Sequence, residues 1–261
     1  MIEATVRRAG LVGQVRVRLR SDFPVAAGLG GSSAASAAIL GALDSFRGIP
    51  IDRRAIAERG REIEVEDLGV AGGRQDHYAA THGGALGLTF GDPAGVGVER
   101  IPLSTQLRDA LERRCILAYT GESRISGDTI TAVMQGYRDG EKRVTFALGR
   151  MRELAQEMAA ALRQSDVDAL GELVGEHWTH QRALHPTIPT PRIDACVERA
   201  ARAGALGAKA TGASGGGCVL AIAGAGREES VRAALAPLGT LVTFTVDEDG
   251  LTECAWSEEM P

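Results

Sequence analysis

Hydrophobic and polar positions alternate early in the chain. Val15, Val17 and Leu19 interleave with Arg16, Arg18 and Arg20, which predicts a strand over Gln14–Leu19 with one dry face and one wet face. Ala4–Arg8 reads as a companion strand, with Ala9-Gly10 as the turn. The period then changes. Ala34–Phe46 carries its apolar residues at helical spacing, and Gly48-Ile49-Pro50 stops that helix. Asp52 is the expected N-cap of a helix running to about Asp67. A glycine turn, Gly69 to Gly73, enters a short helix that has Asp76 in its first turns. Ala85–Phe90 and Val96–Leu103 read as strands around a Gly-Asp-Pro turn.

The second half has a different rhythm. Cys115–Tyr119 reads as a buried strand, and Met151, Leu154, Met158 and Leu162 mark one face of a long helix. Ser165 with Asp168 has the spacing of a capping box for the next helix. Thr190-Pro191 opens a helix that Gly204 stops. Ala208–Gly217 reads as a second glycine loop, followed by a strand over Cys218–Ile222. Arg227–Ala236 is helical in pattern, and Leu241–Val246 and Thr252–Trp256 are strand-like. Helices and strands alternate without strict βαβ spacing, so the expected class is α+β. A boundary near Ser104–Arg114 divides the chain into domains 1–108 and 109–261.

Composition changes this picture little. The 261 residues suffice for a buried core, and a net charge of -5 advertises neither nucleic acid nor an anionic membrane as partner. No apolar run reaches spanning length and the first residues lack a signal-peptide pattern. Cys115, Cys196, Cys218 and Cys254 show no Cys-x-x-Cys spacing, so they are expected to be reduced, in a cytoplasmic protein. His177 and His180 lie three apart on one helix, but no neighbouring carboxylate or cysteine completes a metal set; packing or surface histidines are the expectation.

The chemistry concentrates at residues 24–38. A glycine- and serine-rich turn between strand and helix collects free backbone N–H groups at the positive end of a helix dipole, which is a site for an anion, most often phosphate. Gly28, Gly30 and Gly31 let backbone approach the ligand. There is no lysine for a Walker A loop, and Ser33 stands where a dinucleotide fingerprint has its third glycine. A helix with a glycine lead-in and serine caps remains the alternative.

Three motifs then occur in order: Pro-x-x-x-Gly-Leu-Gly-x-Ser-Ser-Ala at 24–34, Gly-Gly-Arg-Gln-Asp at 72–76 and Lys-Ala-Thr-Gly-Ala-Ser-Gly-Gly-Gly-Cys at 209–218. Together they resemble the GHMP kinases, a family that includes galactokinase, homoserine kinase, mevalonate kinase and phosphomevalonate kinase. The run from Gly72 to Gly84, with Tyr119–Arg124 and Thr190–Asp194, looks most like the branch of heptose-phosphate and C7-cyclitol kinases. The resemblance implies a two-domain fold: an N-terminal ribosomal-protein-like β-α-β domain that binds ATP, and a C-terminal ferredoxin-like α/β-plait. The family's first motif has no counterpart before the loop, so the N-terminal part is expected to be shortened. A sheet edge left unpaired near residues 1–20 would be covered by a preceding segment or by a second copy in a homodimer.

The resemblance also implies roles. Gly28, Leu29, Gly30, Gly31, Ser32, Ser33 and Ala34 would cradle the ATP phosphates. Ser33 and Glu64 would hold Mg²⁺ through hard oxygen donors. Asp76 would accept or orient the proton of the substrate hydroxyl. Arg124, Lys209, Gly215 and Gly216, with Ser123 and Ser126, would face the substrate. Each has a plainer reading. Ser33 could cap a helix, Glu64 shares its helix with Glu62 and Glu66, and Asp76 suits any helix start. Lys209 could lie in solvent, Ser123–Ser126 could simply begin a helix near Asp128, and 212–217 could be a turn in which Ser214 stands where glycine is common. His77 adjoins Asp76 and could lie near the site; a helical step of about 100° separates the two side chains, so at best it would act through another residue of the site. The implied activity is transfer of the ATP γ-phosphate to a hydroxyl of a small molecule: a sugar, a sugar phosphate (heptose phosphate first) or a cyclitol. The alternatives are a noncatalytic nucleotide- or sugar-binding relative and a mevalonate-pathway or homoserine kinase; Gln75-Asp76 argues against the last two.

Overall fold

The computed structural model describes residues 2–10, 16–22, 24, 27–91, 95–122 and 127–254. The chain forms two compact units, one of residues 1–21, 30–86 and 247–261, the other of residues 22–29 and 87–246. The two units meet along the chain after residue 86, and two segments join units remote in sequence. Backbone hydrogen bonds explain both. Gly84 N–H donates to Asp247 O at 2.7 Å and Leu251 N–H to Thr81 O at 3.1 Å, which ties the late segment to the first unit. Cys218 N–H donates to Ala27 O at 2.9 Å, which ties 22–29 to the second.

The first unit is largely helical: α1 (Ile2–Arg8), α2 (Gly31–Phe46), α3 (Arg53–Glu62), a π-helical turn (Ile63–Asp67) and α4 (Gln75–His82). Ala37, Leu40, Ile56 and Ile63 form one buried cluster, with Leu251 packed against it. Ala9, Ile39 and Leu43 form another, joined by Val6 and Val17. Burying side chains such as Leu40 and Ile56 stabilises the unit by about 1.5–3 kcal/mol each. Asp52 caps α3, its carboxylate accepting from Ala55 N–H at 3.0 Å, as the sequence predicts.

The expected strand pair at the start is not formed. Residues 2–8 are helical and 16–20 are irregular, while Gln14 and Val15 lie outside the described residues. A helix satisfies its own backbone, whereas a strand needs a neighbour. Helical spacing also puts Val6 and Ala9 on the Ile39–Leu43 cluster. It sets Arg8 against Glu62 at 3.3 Å, Glu66 at 2.8 Å and Asp67 at 3.3 Å.

The second unit begins with β1 (Ala85–Gly91), whose first two residues belong to the first unit, and β2 (Gly95–Ile101), which pairs with it. Then follow α5 (Thr105–Arg114), β3 (Cys115–Tyr119), α6 (Gly127–Arg138), α7 (Lys142–Arg163), α8 (Val167–Ala183), α9 (Pro191–Arg202), β4 (Ala205–Ala210), β5 (Cys218–Ala223), α10 (Glu228–Leu235) and β6 (Thr240–Val242). The four strands form one antiparallel sheet in the order β4-β5-β3-β6. Strand, helices, two strands, helix and strand, with the last strand beside the first, is the split βαβ arrangement of a ferredoxin-like plait. Its core joins Ile116, Ala118, Val219 and Ala221 of the sheet to Ile193, Cys196, Val231 and Leu235 of the helices.

Four details differ from expectation. Ala208–Ala210 belongs to β4 rather than to the glycine loop, because Ala208 and Ala210 are buried in the plait core. The strand expected over Leu241–Val246 is only Thr240–Val242. Residues 252–254 are irregular, and Ala255 and Trp256 lie outside the described residues. At α8 the capping box is replaced: Ser165 is left-handed at φ 58°, and Asp166 caps Ala169 N–H at 2.9 Å. Asp168 turns instead to the buried guanidinium of Arg114. Gly207 of β4 is where α8 crosses the sheet edge; a Cβ there would lie 2.0 Å from Gly171 O.

Candidate active site

In the first unit, the N-terminus of α2 is the centre of the site. Gly30 caps the helix at φ 69° without a side-chain hydrogen bond, and Ala34 N–H donates to Gly30 O at 2.9 Å. The N–H groups of the first turn, Gly31 to Ser33, are left to point along the axis, at the positive end of the dipole. Asp76, in the first turn of α4, lies against this cap. A Cβ on Gly30 would sit 3.4 Å from Asp76 Cβ and 3.7 Å from Oδ2, ordinary contact distances that place the carboxylate beside the helix end; the left-handed φ of 69° is what favours glycine there. Asp76 keeps solvent contact. Crowding nonetheless pushes its carboxyl above the ordinary range; His77 pulls the other way and Glu64 adds to the rise.

Glu64 is positioned by the π-helical turn, a local widening that recurs at functional sites. Its side chain is 15% exposed, and Oε2 lies 2.9 Å from His77 Nε2. The hydrogen bond from His77 holds the Glu64 carboxyl below the ordinary range, against the cost of burial, and the Ser32 hydroxyl donates to it as well. Gly72 leaves room for the carboxylate: a Cβ there would lie 3.3 Å from Glu64 Oε2.

The arrangement sets the two adjacent serines apart. Ser33 is 3% exposed, in the buried interior of α2, while Ser32 is exposed and bonds to Glu64. Successive helical residues point about 100° apart, so adjacent serines cannot both face Glu64. His77 is 1% exposed and contacts Glu64 directly, so it stands behind a candidate site residue, as its place beside Asp76 allowed. Its partner, across a helix–turn–helix, is set by folding alone. Arg74 of the same motif pairs with Glu58 at 3.1 Å, and Tyr78 Oη donates to Glu58 at 2.7 Å, so both brace α4 on α3.

In the second unit, the two glycine loops are close neighbours, as expected. A Cβ on Gly28 would meet Thr211 Oγ1 at 3.0 Å, and one on Gly217 would meet Ala27 O at 2.6 Å. Ser214 adopts a left-handed φ of 68°, and Gln181 Nε2 donates to its hydroxyl at 3.2 Å and to Gly212 O at 2.9 Å. Gly216 is packed on Glu122 O, where a Cβ would sit at 2.8 Å, while Gly215 is half-buried. Lys209 does not lie in open solvent: it is half-buried on β4, and burial lowers its pKa to about 8. Arg124, Ser123 and Ser126 lie outside the described residues. Burial, with Lys209 nearby, lowers His177 to about 4, and His180 lies 3.8 Å from Glu176. Among the described residues no helix is long and apolar enough to cross a membrane.

Comparison with known proteins places these features in a family. Residues 1–84 match the family model described as the GHMP kinases N terminal domain, and residues 158–238 match that of the GHMP kinases C terminal. A D-glycero-alpha-D-manno-heptose 7-phosphate kinase of Campylobacter jejuni is 30% identical over 76% of this chain, which spans 58% of that protein's length. A galactokinase of Mycobacterium tuberculosis is 31% identical over 90% of this chain and 74% of its own. The crystal structure of a D-glycero-D-manno-heptose 1-phosphate kinase from Bacteroides thetaiotaomicron superposes with a TM-score of 0.70 at 26% identity, covering 95% of this chain and 72% of that one. With both domain models matched in order and a galactokinase 31% identical over 90% of this chain, the chain belongs to the GHMP kinase family.

Proposed function

We propose that this chain transfers the γ-phosphate of ATP to a hydroxyl of a sugar phosphate, with a heptose phosphate as the first choice of acceptor. The observation that carries the reading is the pair of carboxyls at the α2 N-terminus whose environments drive their pKa values apart, Asp76 up and Glu64 down. Glu64 stays anionic and suits a cation. Asp76, with its raised affinity for a proton, suits acceptance of one from the acceptor hydroxyl. The backbone N–H groups over Gly28 to Ala34 would take the phosphate oxygens.

The residues present fit Mg²⁺: Ser32 and Glu64 are hard oxygen donors joined by a hydrogen bond, two protein ligands being enough for an ion that keeps phosphates and waters as the rest of its shell. When bound, Mg²⁺ would neutralise charge on the phosphates. The chain's own work is then positional. The α2 end orients the nucleotide and Asp76 holds the acceptor hydroxyl. Lys209, still largely cationic at neutral pH, Gly215 and Gly216, all of the second unit, are the further candidates for contact with the acceptor. The setting proposed is the cytoplasm, in keeping with the free state of Cys115, Cys196, Cys218 and Cys254.

The test is ADP release with Mg²⁺ and ATP over heptose phosphates, free sugars, cyclitols and mevalonate. Highest kcat/KM on a heptose phosphate is expected. Preference for mevalonate would overturn the acceptor class. ATP binding without turnover on any acceptor would overturn the kinase reading in favour of a noncatalytic relative.

A further inference from the structure

His77 is a buried imidazole next to the catalytic candidate, and only one of its ring nitrogens has a partner. Nε2 lies 2.9 Å from Glu64 Oε2, while Nδ1 is buried without one. An ionised carboxylate only accepts, so Nε2 carries the hydrogen. The ring sits in a socket that the sequence has cleared for it. A Cβ on Gly60 would lie 2.9 Å from Nδ1 and 2.8 Å from Ser36 Oγ, closer than real contacts allow. Ser36 is itself engaged, its hydroxyl donating to Ser33 O at 2.9 Å in the first turn of α2. The His77 carbonyl accepts from Thr81 Oγ1 at 3.0 Å, which holds the backbone at the base of the ring.

We propose that His77 is a positioning residue: its Nε2–H fixes one oxygen of Glu64 and so holds that carboxylate in a single orientation beside Ser32, ready for a divalent cation. The inference rests on the metal-binding role of Glu64 proposed above. A glutamate has several rotatable bonds, and its long side chain loses substantial entropy when ordered. A donor on a ring immobilised at 1% exposure meets that cost when the protein folds, before the cation arrives. Groups that orient a ligand in this way typically contribute tenfold to a hundredfold in metal affinity. If His77 were only a packing residue, ring volume would matter and the Nε2–H donor would not.

The test is Mn²⁺ binding to the full chain with saturating ATP, followed by electron paramagnetic resonance, for the wild type, His77→Leu, His77→Gln and Glu64→Gln. His77→Leu is expected to weaken Mn²⁺ binding by about tenfold to a hundredfold, and His77→Gln, which restores an N–H donor, to recover most of it. Folded His77→Leu with wild-type affinity, alongside a Glu64→Gln that loses it, would overturn the positioning role alone. Unchanged affinity in Glu64→Gln would instead overturn the proposed metal role. Should His77→Leu fail to fold, the long-range ¹H–¹⁵N spectrum of the wild type decides. A neutral Nε2–H tautomer whose Nε2 resonance moves in Glu64→Gln is expected; an Nδ1–H tautomer would overturn the proposal.

Discussion

Single side chains carry the sharpest consequences. Asp76→Asn removes the proposed proton acceptor but leaves the α2 N-terminus, so turnover should fall by about 10²–10⁴-fold with nucleotide binding retained. Steady-state kinetics and a nucleotide-analogue titration check this. The acid limb of the pH–rate profile should lie above the ordinary aspartate value of 3.8, because the atoms crowded around the Asp76 carboxyl desolvate it and raise it. The same shift has a cost in stability. A carboxyl with a raised folded pKa contributes stability below its unfolded value that is lost as pH rises through the folded value. Asp76→Asn should therefore melt higher than wild type at neutral pH. Glu64 has the opposite sign: its contribution is present above 4.5 and is lost as pH falls through its depressed folded value. Glu64→Gln should melt lower than wild type at pH 7, with the difference closing in acid. Melting curves of both variants at pH 7 and in acid test the pair. Asp76 was proposed from its place in the motif at 72–76, whereas Glu64, outside the three motifs, shared its helix with Glu62 and Glu66 and is singled out by its contact with His77. The choice of Ser32 over Ser33 could not be read from the chain, since two adjacent serines differ only in which way the helix turns them.

Among the elements, α3 and α2 meet through Gly60, and helix propensity competes there with space. Alanine is favoured over glycine in a helix by about 1 kcal/mol, whereas forcing a methyl into a packed contact costs about 1–3 kcal/mol. With Ser36 Oγ and His77 Nδ1 both under 3.0 Å from the new carbon, the clash should win, and Gly60→Ala should destabilise the protein in urea denaturation. At α8 the structural cap is Asp166, so Asp166→Ala should cost about 1 kcal/mol in the same measurement. The sequence pattern pointed to Ser165 and Asp168 because their spacing is that of a capping box; Arg114, remote in sequence, recruited Asp168 instead. Helices with a clean period or a cap, such as α2, α3 and α9, were legible. Residues 4–8 were not, because five residues fit either period and the decision lay with Ile39, Leu43 and the acids around Arg8.

Over the whole molecule, ligand binding and stability should be linked. If the helix end and its carboxyls bind Mg²⁺ and nucleotide only when folded, nucleotide at a hundred times its Kd should stabilise the site-bearing unit by about 2.7 kcal/mol. Calorimetry with and without Mg²⁺ and a nonhydrolysable analogue reads this as a rise in melting temperature, and the rise should shrink in Glu64→Gln. The chain's order of elements already implied α+β architecture; the plait of the second half was what the resemblance to the GHMP kinases implied. The chain also supplied the three motifs from which the family follows and on which the proposed phosphate loop and catalytic acid rest, because those depend on residues close together in sequence. Folding alone decided the rest. That residues 22–29 pair with Cys218 and 247–251 with Thr81 and Gly84, that Ser32 faces Glu64, and that His77 reaches it are all contacts between segments far apart along the chain or turned by one helical step. Local propensity carries no information about such contacts, since they are selected by which segments can together satisfy their backbones and fill one core.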